Sequence, residues 1–348
     1  MSSARALGID ISDRTIEVLE LEKSGGIFHY VTSARHELPD HIVEDGVIID
    51  AAQLINALTE LKASGKPQPF TSNRVVLSLP ESRTMRHIFF FPSHFTRNQV
   101  VEALPYEAEK VIPFAIGDSP WSFTIIGQEG KNQIVAYAVA PSKLVSAYQQ
   151  ALSGAGFELE VVELESEALV RALVPQSLQD ELHVLIDIGA RTSTIAIAHK
   201  GYIRFSISLP IAGADFTRTI AERLSISESA AEEKKIHSGM TQKDIRGALA
   251  PTIKQIVVQA KKAIQFIEHK TQLKVSSIIL CGGSAQLPGL PEHLASLLEY
   301  PVSVGNPFTH VATGKQPAPS IVYATVVGLA MRGTDKDMHQ NEINLLTT

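Results

Sequence analysis

A phrase that occurs twice constrains this chain's fold more than any other feature. Residues 7–21 read LGIDISDRTIEVLEL and residues 185–197 read LIDIGARTSTIAI, so Asp10 and Asp187 occupy equivalent positions between two apolar stretches. A further alternating segment follows each copy. Alternation broken by turn residues is typical of antiparallel strands. The sequence therefore predicts a three-stranded meander in each of two related lobes.

Length and composition agree with two lobes. A chain of 348 residues is longer than one ordinary core supports. The formal net charge of −6 argues against nucleic-acid binding, and a single cysteine (Cys281) excludes a disulfide framework and a cysteine-based zinc site. No apolar run approaches the roughly 18 residues that span a bilayer, and no signal peptide is recognisable. We expect a soluble intracellular protein that reaches a membrane only through a partner.

The segment between the copies has a different character. Residues 80–160 read as strand, helix, strand, strand, helix, strand, which predicts an inserted α+β subdomain. Its first helix is predicted over residues 97–111, with a kink or a late start at Pro105. Beyond the second copy, the clearest helical pattern covers residues 251–270, and a small-residue apolar helix covers residues 320–333.

Three junctions between a strand and a turn indicate a polyphosphate site: GIDIS at 8–12, IDIGA at 186–190 and LCGGSAQLPG at 280–289. Glycine after a strand allows backbone N–H groups to approach an anion closely. An aspartate at such a junction repels phosphate but can hold a hydrated Mg²⁺ that neutralises it. Two hairpins, each with one aspartate, would therefore act as the two jaws of one site.

These three motifs, in this order, resemble those of the actin-like ATPases. The segments LPYEAEKVIPFAI (104–116) and VVELESEALVRAL (161–173) further resemble the PilM family of type IV pilus machines, whose relatives are FtsA and the cytoplasmic part of GspL. The resemblance implies an α/β fold, the bilobal actin-like ATPase fold with two ribonuclease-H-like lobes and an FtsA/PilM-type inserted α+β subdomain.

The resemblance also implies a division of the chain into subdomains. Lobe 1 comprises 1–79, the inserted subdomain 80–160, the connection 161–181 and the last helix 316–333. Lobe 2 comprises 182–220 and 271–315, with a nucleoside-side subdomain at 221–270. Residues 334–348 are expected to be a flexible tail.

The resemblance implies ATP and Mg²⁺ as cofactors. We expect Asp10 and Asp187 to hold Mg²⁺ through water, and an E-x-x-K pair to contact the nucleoside. The expected nucleotide-binding residues are Asp10, Ser12, Asp13, Arg14, Thr15, Asp187, Gly189, Ala190, Thr192, Gly213, Glu232, Lys235, Gly282, Gly283 and Ser284.

One position departs from the family pattern. Glu17 stands where relatives commonly carry a lysine that neutralises the phosphates, and an anion there should weaken binding. Arg14 is a candidate substitute. We therefore expect ATP binding rather than efficient hydrolysis. For hydrolysis, Glu163 and Glu165 are candidates to orient the attacking water, although hinge packing or a surface salt bridge is the simpler explanation of both residues.

The last residues, NEINLLTT, contain an apolar motif formed by Ile343, Asn344, Leu345 and Leu346. The family resemblance implies that PilM proteins bind an INLL segment from the cytoplasmic N-terminus of the membrane protein PilN, in a groove between lobe 1 and the inserted subdomain. The sequence leaves open whether this tail fills its own groove, fills that of a neighbouring chain, was introduced by engineering, or matches by chance.

Two other functions stay open at this point. An FtsA-like filament former would share the fold, but residues 334–348 lack a basic amphipathic helix. A small-molecule kinase of the same fold would need a substrate motif, and the sequence contains no recognisable one. The leading prediction is a cytoplasmic, ATP-loaded adaptor of a type IV pilus assembly that is held at the inner membrane by a PilN-like partner. Its nucleotide state is expected to modulate partner binding, and it has the potential to self-associate.

Overall fold

Both copies of the repeated phrase form antiparallel meanders in the computed structural model of the chain. The structure describes residues 4–113, 117, 119–312, 317–335 and 342–346. It divides into unit 1, Met1–Ala168 with Val326–Thr348, and unit 2, Leu169–Thr325. The predicted boundary at residues 315 and 316, and residues 336–341, 347 and 348 of the predicted tail, lie outside the described residues.

Unit 1 is built on a sheet whose strands follow the order β10–β6–β1–β2–β3, with β1 and β2 antiparallel and β6 and β10 parallel to β1. Its elements before the last helix are β1 (Ala4–Ile11), β2 (Thr15–Ser24), β3 (Ile27–Glu37), β4 (Val43–Glu44), β5 (Val47–Ile48), α1 (Ala51–Ala63), β6 (Arg74–Leu79), β7 (Met85–Pro92), α2 (Arg97–Ala108), β8 (Trp121–Glu129), β9 (Asn132–Val139), α3 (Ser142–Gly154) and β10 (Glu158–Leu164).

Unit 2 repeats the arrangement, with the strand order β13–β12–β11–β14–β15. A helix that begins in unit 1 leads into it. The elements from there to the end of the chain are α4 (Glu165–Leu173), β11 (Leu182–Ile188), β12 (Ser193–His199), β13 (Tyr202–Leu209), α5 (Gly213–Leu224), α6 (Glu228–Ser238), α7 (Lys243–Thr271), β14 (Val275–Cys281), α8 (Leu290–Leu298), β15 (Val302–Val304), β16 (Val311–Ala312) and α9 (Ala324–Thr334), of which α9 returns to unit 1.

The inserted subdomain has its own small core. Its sheet has the order β7–β9–β8, and α2 packs on it through Val100, Leu104 and Ala108. Helix α3, which we assigned to the insertion, packs instead against α1 and β10. The insertion is therefore shorter than residues 80–160, because the aromatic core of β7, α2, β8 and β9 closes without α3.

Two helices differ from the sequence prediction at proline. Helix α2 begins at Arg97 behind a Thr96 capping box, and Pro105 lies within its last turn, so the predicted late start is wrong. Helix α7 begins at Lys243, eight residues before the predicted start, and runs through Pro251. Pro251 is exposed, and the buried stripe continues before it at Ile245, Ala248 and Leu249, so packing outweighs one lost hydrogen bond.

Helix α9 is buried nearly all round, as its apolar sequence predicts. It lies against β1, where a Cβ on Gly8 would meet the Val326 carbonyl oxygen and would lie 2.8 Å from Leu329 Cβ. Glycine at this position therefore allows the helix to approach the sheet closely. Among the described residues, no helix combines the length and low charge that crossing a bilayer requires.

Candidate functional site

In unit 2, the ends of two parallel strands bring the predicted phosphate residues together. Asp187 on β11 is paired in register with Cys281 on β14, so the turns that follow these strands are neighbours. Gly282 has a φ of +80°, and a Cβ there would meet the Asp187 carboxylate. No larger residue fits between these two turns without displacing Asp187.

The start of α5 closes the same cluster. The Gly213 N–H donates to the Gly189 carbonyl (3.0 Å), and the Ala214 N–H donates to the Ala190 carbonyl (2.8 Å). A Cβ on Gly213 would lie only 2.7 Å from Ser284 Oγ, whereas a Cβ on Gly283 would meet nothing within 4 Å. The Thr192 carbonyl accepts from the Gly189 N–H (3.0 Å), which holds the turn after β11 in place.

The predicted E-x-x-K pair on α6 reaches this cluster. Lys235 Nζ donates to the Gly213 carbonyl (3.0 Å) and to Thr217 Oγ1 (2.8 Å), and it pairs with Glu232 at 2.6 Å. The Lys235 side chain is only 10% exposed, whereas that of Glu232 is 44% exposed. Unit 2 therefore gathers glycine turns, a hydroxyl, a carboxylate and a buried ammonium, which together suit a polar anionic ligand.

In unit 1, the site residues form a row across adjacent strands. Ser78 Oγ on β6 donates to Asp10 Oδ1 on β1 (2.6 Å), and Asp10 is paired in register with Glu17 on β2. Glu17 in turn accepts from Arg35 Nε on β3 (2.8 Å). The sequence analysis did not identify Ser78 or Arg35. Their only signal is the strand register, which residue types alone do not reveal.

Two carboxylates in this row titrate unusually. Burial raises the pKa of Asp10 above its ordinary value of 3.8. Burial, and then the charge of Asp10, raise the pKa of Glu17 to about 7, although Arg35 opposes the shift. Glu17, where the family resemblance implied a lysine, is thus a buried acid with an arginine partner.

The turn between β1 and β2 is held by its own side chains. Ser12 Oγ accepts from the Thr15 N–H (3.0 Å) and lies 3.0 Å from Thr15 Oγ1. The Asp13 carboxylate accepts from the N–H groups of Asp45 (3.0 Å) and Gly46 (2.9 Å), so it anchors a neighbouring loop. Arg14, our candidate replacement for the family lysine, pairs at the surface with Asp40 at 2.6 Å.

A second site lies in unit 1, where the C-terminal segment packs between two edge strands. We call the space between β10 and β8 that Ile343, Asn344 and Leu345 occupy the peptide groove. The Ile343 and Leu345 side chains are 1% and 0% exposed. The predicted flexible tail is therefore, over its described residues, a packed segment, because its apolar side chains are buried.

Asn344 makes the groove's most specific contacts. Its Oδ1 accepts from the Val162 N–H (3.1 Å), and its Nδ2 donates to the Glu160 carbonyl (3.2 Å), so one amide side chain pairs with the edge of β10. Its own N–H donates to Ser122 Oγ on β8 (3.1 Å). The Leu345 N–H then donates to the Val162 carbonyl (2.8 Å), so the edge of β10 binds both the main chain and the asparagine side chain of the segment.

A buried ion pair underlies the groove. Arg332 on α9 pairs with Glu163 on β10, and both side chains are fully buried. Arg332 Nη1 also donates to the Ile343 carbonyl (2.6 Å). Glu163, which we named as a candidate to orient water, is thus bound to an arginine beneath the peptide groove. Glu165, the other candidate, is the first residue of α4 and is half-buried.

Comparison with known proteins identifies the family. The family model of the type IV pilus assembly protein PilM matches residues 8–334. The chain belongs to the PilM family. A solved PilM-PilN type IV pilus biogenesis complex is 25% identical, covers 95% of this chain and 98% of its own matched chain, and has a TM-score of 0.81. The predicted resemblance to PilM is therefore confirmed.

Two further relatives define how far the likeness extends. The cell division protein FtsA of Pseudomonas aeruginosa is 27% identical over 242 residues, which are 62% of this chain and 57% of the relative. The chain thus spans little more than half of that protein's length. MreB5 of Spiroplasma citri, solved with AMPPNP, is 14% identical with a TM-score of 0.56, and covers 95% of this chain and 96% of its own. With the PilM structure, it confirms the predicted bilobal actin-like fold.

Proposed function

We propose that this member of the PilM family is a nucleotide-binding adaptor on the cytoplasmic side of a type IV pilus assembly, which binds the N-terminal peptide of a PilN-like membrane protein in the peptide groove. The observation that carries the proposal is the pairing of Asn344 and Leu345 with the edge of β10. A groove that accepts this motif from its own chain has the chemistry to accept it from a partner.

The groove binds both the main chain of the peptide and its asparagine side chain. The N–H and C=O groups of an edge strand offer hydrogen bonds to any extended peptide. The asparagine amide narrows the choice, since it must accept from Val162 and donate to Glu160 at once. An aspartate side chain lacks the N–H donor for the Glu160 carbonyl, and a leucine side chain lacks both the donor and the acceptor. Apolar residues on either side of the asparagine would fill the positions of Ile343 and Leu345.

A chain that ends after Asp335 allows a direct test. We would titrate it with a labelled PilN-type peptide containing INLL, and with the same peptide carrying alanine at the asparagine, and follow fluorescence anisotropy. Saturable binding of the first and at least about tenfold weaker binding of the second is expected, because two hydrogen bonds to buried backbone groups are lost. Equal binding of both peptides would contradict recognition through the asparagine.

For the nucleotide, we propose ATP with Mg²⁺. Around Asp187, the glycine turns at Gly189, Gly213 and Gly282 leave little room for a larger residue, and Lys235 adds a buried cation. Close backbone and a cation together fit a phosphate chain and its nucleoside. The remaining positions that we assign to this ligand are Asp10, Ser12, Asp13, Arg14, Thr15, Ala190, Thr192, Glu232, Gly283 and Ser284. Asp10 and Asp187, the carboxylates at the two strand ends, are proposed to hold a hydrated Mg²⁺ that neutralises the phosphates.

Calorimetry with Mg-ATP tests this assignment. Asp187→Ala should abolish the binding heat at millimolar nucleotide, since it removes the carboxylate that is proposed to hold the metal. Asp180→Ala is a matched control, because Asp180 is an exposed aspartate just before β11. Absence of heat with the unchanged chain would overturn nucleotide binding, and unchanged heat with Asp187→Ala would remove Asp187 from the site.

Hydrolysis is expected to be slow. Of the two candidates for orienting water, Glu163 is bound to Arg332, so Glu165 is the better test. A Glu165→Gln chain that keeps the full rate of phosphate release would remove Glu165 from any catalytic role.

A second function has one observation in its favour. The similarity to FtsA supports an alternative in which ATP drives self-association into filaments. Sedimentation with Mg-ATP, with and without the INLL peptide, separates the two. Pelleting that requires ATP but not the peptide would favour the filament former.

A further inference from the structure

The C-terminal segment that fills the peptide groove is part of the chain itself. Residues 342–346 belong to unit 1, and their partners Ser122, Glu160, Val162 and Arg332 are in the same unit. A partner peptide cannot bind these groups while they are taken. We propose that residues 342–346 are an intramolecular competitor that keeps the groove closed to partners until it is displaced. This inference rests on the proposed function of the groove.

Residues 342–346 contact the groove as a specifically bound ligand would. Ile343 and Leu345 are buried, and the backbone of residues 343–345 is bound on three sides, by β10, by β8 and by α9. The Leu346 N–H returns to Asn344 Oδ1 (3.0 Å), which fixes the amide that pairs with β10. Chance burial of a terminus does not require an asparagine whose acceptor and donor both have backbone partners.

An ion pair ties the chain just beyond α9 to the sheet of unit 1. Lys23 on β2 pairs with Asp335, one residue beyond α9, and both side chains are largely buried. The segment 342–346 begins seven residues later. A short connection of this kind gives an attached ligand an effective concentration of the order of millimolar.

That concentration sets the expected size of the effect. A segment with an intrinsic dissociation constant of about 100 μM would occupy the groove about nine-tenths of the time at an effective concentration of about 1 mM. The apparent affinity of an external peptide would then fall about tenfold. A tighter segment would weaken external binding more. The groove would still open without a conformational change elsewhere, because only the short segment has to leave.

The experiment compares three chains with one probe, a fluorescent peptide with the sequence of residues 340–348. The chains are the full chain, the chain ending after Asp335, and a full-length Asn344→Ala variant, which loses the paired amide but keeps the groove intact. We expect the probe to bind the shortened chain at least about tenfold more tightly than the full chain, and the Asn344→Ala chain to resemble the shortened one. Asn98→Ala is the control, because Asn98 is an exposed asparagine on α2 that makes none of the contacts holding the segment.

Hydrogen exchange supplies a second readout that does not depend on the probe. The Val162 N–H donates to Asn344 Oδ1, so its exchange should be slow in the full chain and should accelerate in the Asn344→Ala chain. Because the chain remains folded in both, this change reports the departure of the segment and not global unfolding.

The outcomes separate the inference from the function on which it rests. Equal probe affinity for the full and the shortened chain would overturn the competitor and leave the groove as a partner site. No probe binding to the shortened chain would overturn the proposed function and the inference with it. An affinity difference that appears only as the full chain dimerises would overturn an intramolecular competitor, since the segment would then fill a neighbour's groove.

Discussion

Glu17 is an acidic residue buried in unit 1. It is buried beside Asp10, and its pKa rises from 4.5 to about 7. Between these values the folded chain retains a proton that the unfolded chain has lost. The resulting stability is fully present below pH 4.5 and is lost as the pH rises to about 7. Glu17→Gln should therefore flatten the fall in melting temperature over this window.

Thermal melts from pH 4.5 to 8 in chelator, without nucleotide, measure this effect. Glu37→Gln is a suitable control, because Glu37 is an exposed acid at the end of the neighbouring strand β3. Identical slopes for the parent and Glu17→Gln would show that Arg35 keeps Glu17 ionised throughout.

Glu163 and Arg332 give a second prediction at this scale. Both are fully buried, so removing one partner leaves an uncompensated charge. Glu163→Leu or Arg332→Met should each cost about 3–5 kcal/mol of unfolding free energy, whereas the double variant should cost less than either. Urea unfolding of the three variants measures the coupling. If the double variant loses as much unfolding free energy as the two single variants together, the pair is not a structural unit.

The residue scale also shows what sequence can and cannot predict. The glycine turns and the Glu232–Lys235 pair are local patterns, so their positions in unit 2 were predictable. Ser78, Arg35 and Ser122 enter their sites through strand register and through contacts distant in sequence. No spacing rule links them, because each depends on which strands become neighbours.

Among the elements, α9 is a helix whose close approach to β1 depends on glycine. A Cβ on Gly8 would meet the Val326 carbonyl oxygen and Leu329 Cβ, and backbone cannot move aside as a flexible side chain can. Gly8→Ala should therefore cost about 1–3 kcal/mol by forcing α9 away from β1. Urea unfolding provides the measurement.

Gly247→Ala in α7 is the matched control, because a Cβ there meets nothing within 4 Å. It should leave stability unchanged or raise it by up to about 1 kcal/mol, since alanine favours helix. Equal effects of the two substitutions would contradict the close approach of α9 to β1.

Element boundaries were less predictable than element order. The two meanders and the sequence of strands in the insertion follow from apolar periodicity, and the structure reproduces them. Helices α2 and α7 both contain a proline without ending there, because Pro105 lies in the last turn of α2 and Pro251 lies on the exposed face of α7. Proline marks a helix end reliably only where the lost hydrogen bond is not offset by packing on the opposite face.

At the scale of the whole molecule, unit 1 connects the proposed nucleotide turn with the peptide groove. Near its start, α9 lies against Gly8, two residues before Asp10, and near its end it carries Arg332, which holds both Glu163 and the Ile343 carbonyl. A displacement of β1 by a nucleotide would therefore act on the same rigid helix that binds the peptide. The coupling is therefore expected between the nucleotide turn after β1 and the peptide groove.

Thermodynamic linkage requires that any effect of Mg-ATP on peptide binding be matched by an equal effect of the peptide on Mg-ATP binding. In the chain ending after Asp335, saturating Mg-ATP should change the dissociation constant of the INLL peptide by about fivefold or more, the lower end of allosteric couplings. Saturating peptide must then change the dissociation constant of Mg-ATP by the same factor, because the cycle of four states closes. In an Asp187→Ala chain, ATP should leave the peptide affinity unchanged. Two factors equal to one within error would mean that the nucleotide and the pilus partner bind independently, and that α9 is a scaffold shared by two separate sites.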